Sequence, residues 1–274
     1  MKMKYSVLIL ILLVGCFVNA QRKPKIKGSK VVVEVREDLE PFTAIELNDD
    51  LDIILKKSSD YGYSLTIDDN LVDVLKFRVV NQILTISSFY TVSAKKKMEI
   101  TVFYDEINAI SIRDGEIESE DMINADELTI NTFGSSKLKL NANANAINLM
   151  MVDNSFADLN VDADTLHITL KDRVDAKLYA VSKLNTTEMF KNAQVTMEGT
   201  ADVLKVNLYE NADFKAEKLD ASDVNLTVGG STSAYINAFR TVNLSSKESA
   251  KTYLYGGGKI TITDFLDTSQ LIKK

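Results

Sequence analysis

A repeat of about nineteen residues in the C-terminal two-thirds of the chain limits the possible folds more than any other feature. Nine triplets of the form apolar–polar–apolar follow one another, from Ile110 to Ile260. Their first residues are 18, 19, 19, 18, 20, 20, 18 and 18 positions apart. Alternation with a period of two indicates strands that bury one face. A fixed period of this length without helical spacing is typical of a solenoid.

A second strand-like element, of the form small–x–apolar, begins eight to ten residues after seven of the triplets. Asn, Asp and Gly lie between the two elements, where a tight corner needs residues that tolerate left-handed backbone. The sequence therefore predicts a β-solenoid of about nine coils, each with two short strands and stacked ~4.8 Å from the next. The predicted inward row is Leu138, Leu159, Leu178, Val195, Phe214 and Ile236. The middle residues of the triplets are expected to face solvent, among them Asn148, His167, Asn185, Asn225 and Asn243.

The N-terminal third lacks this repeat but contains seven further strand-like runs, and Asn81-Gln82 between two of them is a candidate hairpin turn. A solenoid needs atypical ends that protect its edge strands, so this region is expected to cap the first coil. The predicted organisation is a signal peptide at 1–20, a linker at 21–30, an N-terminal β region at 31–108, solenoid repeats at 109–266 and a tail at 267–274.

The start of the chain has the pattern of a secretory signal peptide. Lys2 and Lys4 form a basic head, residues 7–18 form an apolar run, and Ala20 precedes Gln21. The run is shorter than the ~20 residues of a bilayer-spanning helix, and no later segment approaches that length. We therefore predict cleavage between Ala20 and Gln21, and a protein that works outside the cytoplasm.

A second interpretation of the same segment stays open. Residues 13–16, Leu-Val-Gly-Cys, resemble a lipoprotein box in which Cys16 would become the lipidated first residue. The apolar run continues past Cys16, which favours cleavage after Ala20. The choice decides whether the mature protein is lipid-anchored or soluble. In either case we expect it in the periplasm, on the outer-membrane surface or secreted.

Composition argues against several classes of function. A single cysteine and a single histidine, His167, are too few for a disulfide framework or a Cys- or His-based zinc site. Removal of Lys2 and Lys4 changes the formal net charge from −7 to −9, which disfavours a nucleic-acid partner. The Gly-Gly-x-Gly-x-Asp repeats of calcium-binding solenoids do not occur. No cofactor and no metal site is predicted.

Asp153 and Asp172 are the strongest catalytic candidates, since each follows its triplet by six residues and the two should stack on neighbouring coils. A carboxylate pair can serve glycosidase chemistry. The alternative, which we favour, is that both support turns. Lys191 is predicted to be one residue out of step with them, so neither has a basic partner. We predict no catalytic residue; a polysaccharide lyase or hydrolase is the alternative. Tyrosines such as Tyr179 and Tyr235 could stack on sugars, or only cover the strand surface.

The N-terminal third also resembles a known family. Phe-Thr-Ala-Ile-Glu-Leu at 42–47, followed by Leu-Asp-Ile-Ile-Leu at 51–55, looks like the opening of the GIN-domain head of putative auto-transporter adhesins. The segments 65–71, 83–86 and 98–102 continue the likeness, which covers roughly residues 31–265. The family's coils often carry Gly-Ser-Gly at the turn, and this chain departs from that pattern.

The resemblance implies a right-handed parallel β-helix and a secreted or envelope protein of Bacteroidetes type. The long stacked surface favours a non-enzymatic, adhesin-like binding protein or envelope-structural protein that presents this surface to a glycan or a surface protein. The resemblance supplies no site residues.

Overall fold

A computed structural model describes residues 23–274. The predicted Ala20–Gln21 cleavage and the alternative lipidation of Cys16 lie outside these residues. The described chain is nearly all β and forms a solenoid of about nine turns, which confirms the predicted fold class. Its inward residues build one continuous aliphatic core along the stack.

Seven long strands make up most of the stack, each pairing in parallel with the next. They are β11 (Glu116–Thr132), β12 (Lys137–Met151), β13 (Phe156–Leu170), β14 (Asp175–Met189), β15 (Gln194–Leu208), β16 (Asp213–Val228) and β17 (Ser233–Ser246). The shorter strands β18 (Lys251–Tyr255), β19 (Lys259–Phe265) and β20 (Gln270–Lys273) follow them and complete the C-terminal end.

Each coil thus has one long strand where the sequence predicted two short ones. The second element of one coil runs directly into the triplet of the next. In β13, buried and exposed residues alternate up to Ala163, and Asp164 and Thr165 then break the alternation before it resumes at Leu166. Pairing with β12 continues on both sides of this point. The chain therefore bends within the strand without ending the ladder.

The corners between long strands use left-handed backbone once in every coil. The residues with positive φ are Gly134, Asp153, Asp172, Lys191, Glu210, Gly230, Glu248 and Asp267. Backbone hydrogen bonds join successive corners, for example from Arg173 N to Asp153 O at 2.8 Å. Asp153 and Asp172 are therefore turn residues, as the favoured alternative predicted.

The predicted inward row is only partly correct. Leu159 stacks on Leu178, but Leu178 pairs with Met197, and Val195 instead pairs with Ala176. The predicted row is wrong in part because it was counted from the small residue that opens each second strand-like element, and these small residues belong to two different rows. Ala176 opens a row inside the strand, whereas Ala193 lies in the preceding turn and stacks through backbone hydrogen bonds on its neighbours there.

Asn185 is also placed differently from the prediction. Its triplet begins 18 residues after the previous one and 20 before the next, but the pairing of β14 with β13 and with β15 keeps a step of 19. Asn185 therefore pairs with Leu166 and Leu204 and is fully buried, whereas Leu184 takes a half-buried position before it. His167, as predicted, faces solvent.

The N-terminal third both caps the stack and lengthens it. Its elements are β1 (Lys25–Lys27), β2 (Val32–Asp38), β3 (Ala44–Leu47), β4 (Asp52–Lys57), β5 (Gly62–Asp68), a 3-10 helix (Asp69–Val74), β6 (Leu75–Val80), β7 (Ile83–Ser88), β8 (Thr91–Ala94), β9 (Met98–Tyr104) and β10 (Ala109–Ile112). Strands β3 and β4 pair in parallel with β10 and β11, and β7 and β9 stack beneath them. Strands β6 and β5 then pair antiparallel with β7 and β9.

This arrangement has two consequences for the predicted boundaries. Parallel stacking already starts at β3, before residue 109, and it continues through β20, beyond residue 266. Alternation alone did not show it because the early coil is interrupted by the capping strands. Asn81 and Gln82 both have positive φ between the antiparallel β6 and β7, so the predicted hairpin turn is confirmed.

Candidate binding surface

The first halves of the long strands place two outward rows side by side. Residues two apart on one strand point the same way, and in-register stacking sets each beside its equivalent on the next coil. One row contains Asp158, Lys177 and Thr196, and the other contains Asn160, Tyr179 and Glu198. Between the rows lies a shallow depression of about 310 Å³, which we call the Tyr179 groove. Its lining residues are Asp158, Leu159, Asn160, Lys177, Leu178, Tyr179, Thr196 and Glu198.

Tyr179 gives the groove its aromatic surface. Its side chain is 53% exposed, far more than an inward neighbour such as Leu178 at 3%. Two pairs of aromatic rings on the stack cover one another: Tyr235 and Tyr253 have centroids 4.4 Å apart, and Phe190 and Tyr209 are 5.0 Å apart. Within residues 23–274 Tyr179 belongs to no such pair. Its ring is therefore accessible to a ligand.

The charges around Tyr179 alternate in sign and are mostly paired at the ends of the groove. Lys139 pairs with Glu118 at 2.6 Å, and Lys218 pairs with Glu198 at 2.8 Å. The hydrogen bond to Glu118 raises the pKa of Lys139 above its usual value. Asp158 lies between these pairs and forms no salt bridge within the described chain. The groove therefore offers charged groups that can form hydrogen bonds, but it has no strong net charge of either sign.

The Tyr179 groove continues into a second depression of about 240 Å³. This depression is lined by Glu118, Ser119, Glu120, Lys139, Leu140, Asn141, Asp158 and Asn160. Asp158 and Asn160 border both depressions. Together the two cross five adjacent strands, a distance of ~19 Å at the ordinary strand spacing. The surface is therefore long enough for an extended ligand that runs along the stack.

A further depression lies elsewhere and has a different chemistry. It measures about 580 Å³ and is lined by Thr43, Glu106, Ile107, Asn108, Asn124, Ala125, Asp126, Glu127 and Asn143. Carboxylates and amides dominate this lining, which contains neither an aromatic ring nor a basic group. Among residues 23–274 no group of three or more His, Cys, Asp or Glu is arranged to hold a metal ion. We find no second feature there that points to a ligand.

The two aspartates considered for catalysis are held by the turns. Asp153 accepts a hydrogen bond from the backbone N–H of Gly134 at 2.9 Å. Asp172 forms a salt bridge with Lys191, and this hydrogen bond raises the pKa of Lys191. The predicted mismatch with Lys191 is wrong, because Lys191 lies 19 residues after Asp172 and occupies the same corner position. The position of Lys191 had been counted from the triplet that begins at Leu184, and this triplet is itself one residue out of register.

Local sequence pattern does not distinguish Tyr179 from the other tyrosines. The signal was present in the spacing, since Asn160, Tyr179 and Glu198 are 19 residues apart and so share one outward row. The same rule places Tyr235 directly on Tyr253 after a step of 18. An aromatic residue whose neighbours one coil away are not aromatic has no stacked ring to cover it.

The geometry is that of a parallel β-solenoid with a capped N-terminal end and a long outward surface. The chain belongs to the family described as "Putative auto-transporter adhesin, head GIN domain", whose model matches residues 41–189 and 158–258. The resemblance noted from the sequence is thus confirmed. Residues 23–274 include no candidate membrane-spanning helix.

Solved structures share the fold at low sequence identity. A putative adhesin from Parabacteroides merdae is 14% identical with a TM-score of 0.70, covering 92% of this chain and 99% of its own. A putative adhesin from Parabacteroides distasonis is 14% identical with a TM-score of 0.69, covering 91% and 100%. A putative lipid binding protein from Parabacteroides distasonis is 15% identical with a TM-score of 0.65, covering 91% and 99%. No curated protein matches the chain.

Proposed function

We propose that the protein is a non-enzymatic, adhesin-like binding module that holds an extended, uncharged glycan in the Tyr179 groove. The observation that carries this proposal is the accessible ring of Tyr179, exposed between Asn160 and Glu198 on the neighbouring coils. A sugar ring presents apolar C–H groups on its faces and hydroxyl groups around its edge. An aromatic side chain can contact the face while adjacent amides and carboxylates bind the hydroxyls.

The polar residues around the ring fit this role. Asp158 and Asn160 form no side-chain hydrogen bond with another residue between 23 and 274, so both can turn to a ligand. Glu198 and Lys177 add an acceptor and a donor on the same wall. The alternating charge favours a neutral chain, because a strongly charged polymer would meet repulsion in part of the groove. An acyl chain would leave these polar groups unpaired, so the lining fits sugar better than lipid.

The enzyme alternative receives less support. A hydrolase needs two carboxylates free to meet the same glycosidic bond. Asp153 and Asp172 instead bind a backbone N–H and an ammonium group within the corners. The name of the family, and the names of two of the three structural neighbours given above, favour adhesion over turnover.

A location outside the cytoplasm follows from this role, since adhesion requires exposure to other surfaces. We propose export through the N-terminal signal, with cleavage between Ala20 and Gln21 preferred over lipidation of Cys16. The intact mass of the exported protein distinguishes the two, because a mature chain starting at Gln21 lacks the acyl mass carried by Cys16. Finding the uncleaved chain in the cytoplasm would contradict the proposal.

Glycan-array binding followed by calorimetry tests the ligand class. We expect binding to neutral oligosaccharides, and we expect Tyr179→Ala to weaken it at least tenfold, in the range of aromatic hot spots. Tyr209→Ala is the matched control, because Tyr209 stacks on Phe190 on another side of the stack. Tyr179→Phe should retain most of the affinity, since the ring remains.

Two outcomes would overturn the proposal. One is the absence of glycan binding by the wild-type protein. The other is equal loss in Tyr179→Ala and Tyr209→Ala. Cleavage of a bound glycan by the pure protein, abolished by Asp153→Asn, would establish the enzyme alternative.

A further inference from the structure

The two ends of the solenoid are finished differently. Antiparallel strands β6 and β5 and the 3-10 helix close the N-terminal end, where Leu71 and Val74 are buried. At the C-terminal end, β19 pairs with β17 on one side and β20 pairs with β18 on one side. All seven residues of β19 are exposed. The described chain therefore ends in an open sheet edge.

This open edge also exposes the apolar core. Ile260 stacks on Val242 and Ile262 stacks on Leu244, and the lower residue of each pair is buried. Ile260 is 37% exposed and Ile262 is 48% exposed, because no further coil covers them within the described chain. Unpaired backbone groups beside an apolar strip are the usual template for strand addition.

We propose that β19 is an interface for a second copy of this chain, paired antiparallel and tail to tail. A two-fold axis through Thr261 would place Ile260 of each copy beside Ile262 of the other copy. The pairing keeps both inward faces on the same side, so the two apolar cores join. An isologous contact of this kind uses one self-complementary patch on both subunits.

The charges on β19 match this register. Thr263 is an extra residue in the strand, because Leu244 pairs with Ile262 and the next residue pairs with Asp264. This bulge brings Asp264 to the outward face, opposite Ser245. The Asp264 carboxylate accepts a hydrogen bond from the Ser245 hydroxyl at 3.2 Å. The same two-fold axis sets Lys259 of the second copy beside it. Two symmetric Lys259–Asp264 pairs would result, which favours this register over a shifted one.

Two further features confine the pairing to β19 and to two copies. Lys273 of β20 occupies an inward position above Leu254, and its ammonium group reaches the carbonyl oxygen of Gly256. A charge at an inward position disfavours strand addition on that half of the edge. A two-fold contact uses the β19 edge of both copies at once, so no β19 edge remains for a third copy. The product is a closed dimer and not a fibre.

The dimer rests on observations separate from the glycan proposal. It would carry two Tyr179 grooves, and two grooves on one rigid rod raise the avidity for a surface without any new contact. Loss of glycan binding in Tyr179→Ala should leave the dimer intact, and loss of the dimer should leave the affinity for a single oligosaccharide intact. The two proposals therefore fail independently.

Sedimentation velocity over a wide range of protein concentration tests the dimer. We expect Lys259→Asp and Asp264→Lys each to weaken association at least tenfold through like-charge contact, and the double variant to restore it. Lys205→Asp, on the outward face away from β19, is the control. Equal thermal midpoints will show that the variants fold. A monomer at every concentration, or a double variant weaker than both single variants, overturns the proposal.

A disulfide tests the orientation. Opposed residues in antiparallel strands have Cα atoms ~4.5–5.5 Å apart, within disulfide range. Thr261→Cys should therefore cross-link under mild oxidation, whereas Thr227→Cys, exposed on β16, should not. Equal cross-linking of the two variants would contradict the tail-to-tail arrangement.

Discussion

The side chains of Asn185 and Thr187 point together into the aliphatic interior, where the Thr187 hydroxyl donates a 2.9 Å hydrogen bond to Asn185 Oδ1. Both residues are fully buried. The Asn185 amide donates in turn to Met197 Sδ at 3.3 Å, and a thioether is a weak acceptor. One coil therefore contains a polar pair at positions that its neighbours fill with leucine, isoleucine and valine.

Replacing this pair should stabilise the protein. The double variant Asn185→Leu with Thr187→Val matches the neighbouring residues Leu166 and Ile168, and we expect about 1–3 kcal/mol of added stability from removing a poorly satisfied amide. Asn185→Leu alone should gain less, because the Thr187 hydroxyl then loses its acceptor. Urea unfolding measures both. Asn243→Leu, on the outward face, is the control and should change stability by less than about 0.5 kcal/mol. A destabilised double variant would show that the interior cannot take the larger side chain.

Periodicity was sufficient to predict the solenoid but not its register. The triplets identify inward faces because alternation is a local property of each strand. Around Asn185 the register follows a 19-residue step, and the triplet pattern missed this step because it sought a leucine at the position that Asn185 occupies. The Tyr179 groove was not predicted for a similar reason. It arises between coils, so only correct register shows that Asn160 and Glu198 adjoin Tyr179. No local signal indicated the inward lysine at 273, since its role depends on the end of the stack.

Gly199 is the position where a methyl group should be least tolerated. It lies within β15 at φ 114°, and a Cβ atom there would come 2.1 Å from the carbonyl oxygen of Ala180 on the coil below. Gly199→Ala should therefore cost about 2 kcal/mol or more, through strain and displaced backbone pairing. Gly257→Ala is the matched control, because nothing lies within 4 Å of its added methyl group. Chemical denaturation compares the two. Equal stabilities would mean that the coil at Gly199 relaxes without loss of pairing.

Asp68 should make the N-terminal cap sensitive to acid. Burial raises the pKa of its carboxyl, but hydrogen bonds from the backbone N–H groups of Lys96, Lys30 and Lys97 outweigh burial and hold the pKa below its ordinary 3.8. A carboxylate of depressed pKa stabilises the fold fully above that ordinary value. Its contribution is lost as the pH falls towards the folded pKa.

Hydrogen exchange at these amides tests the role of Asp68. As the pH falls below about 4, their protection factors should drop, after correction for intrinsic exchange, before those of the central coils. Asp68→Asn should lower the protection factors of the three amides bonded to residue 68 already at neutral pH, because an amide is a weaker acceptor than a carboxylate. Asp73→Asn, an exposed residue of the 3-10 helix, should behave as the wild type. Unchanged protection in Asp68→Asn would remove the proposed role.

Leu178 and Tyr179 are adjacent on β14 and should separate folding from binding. Leu178 packs between Leu159 and Met197 in the core, so Leu178→Ala should cost about 2–5 kcal/mol of unfolding free energy. Tyr179 faces the groove, so Tyr179→Ala should change stability by less than about 0.5 kcal/mol. Calorimetric unfolding gives the first quantity and glycan titration the second. If Tyr179→Ala lost stability comparable to Leu178→Ala, the tyrosine would be part of the packing, and its reduced glycan affinity could no longer be assigned to a lost contact with the ligand.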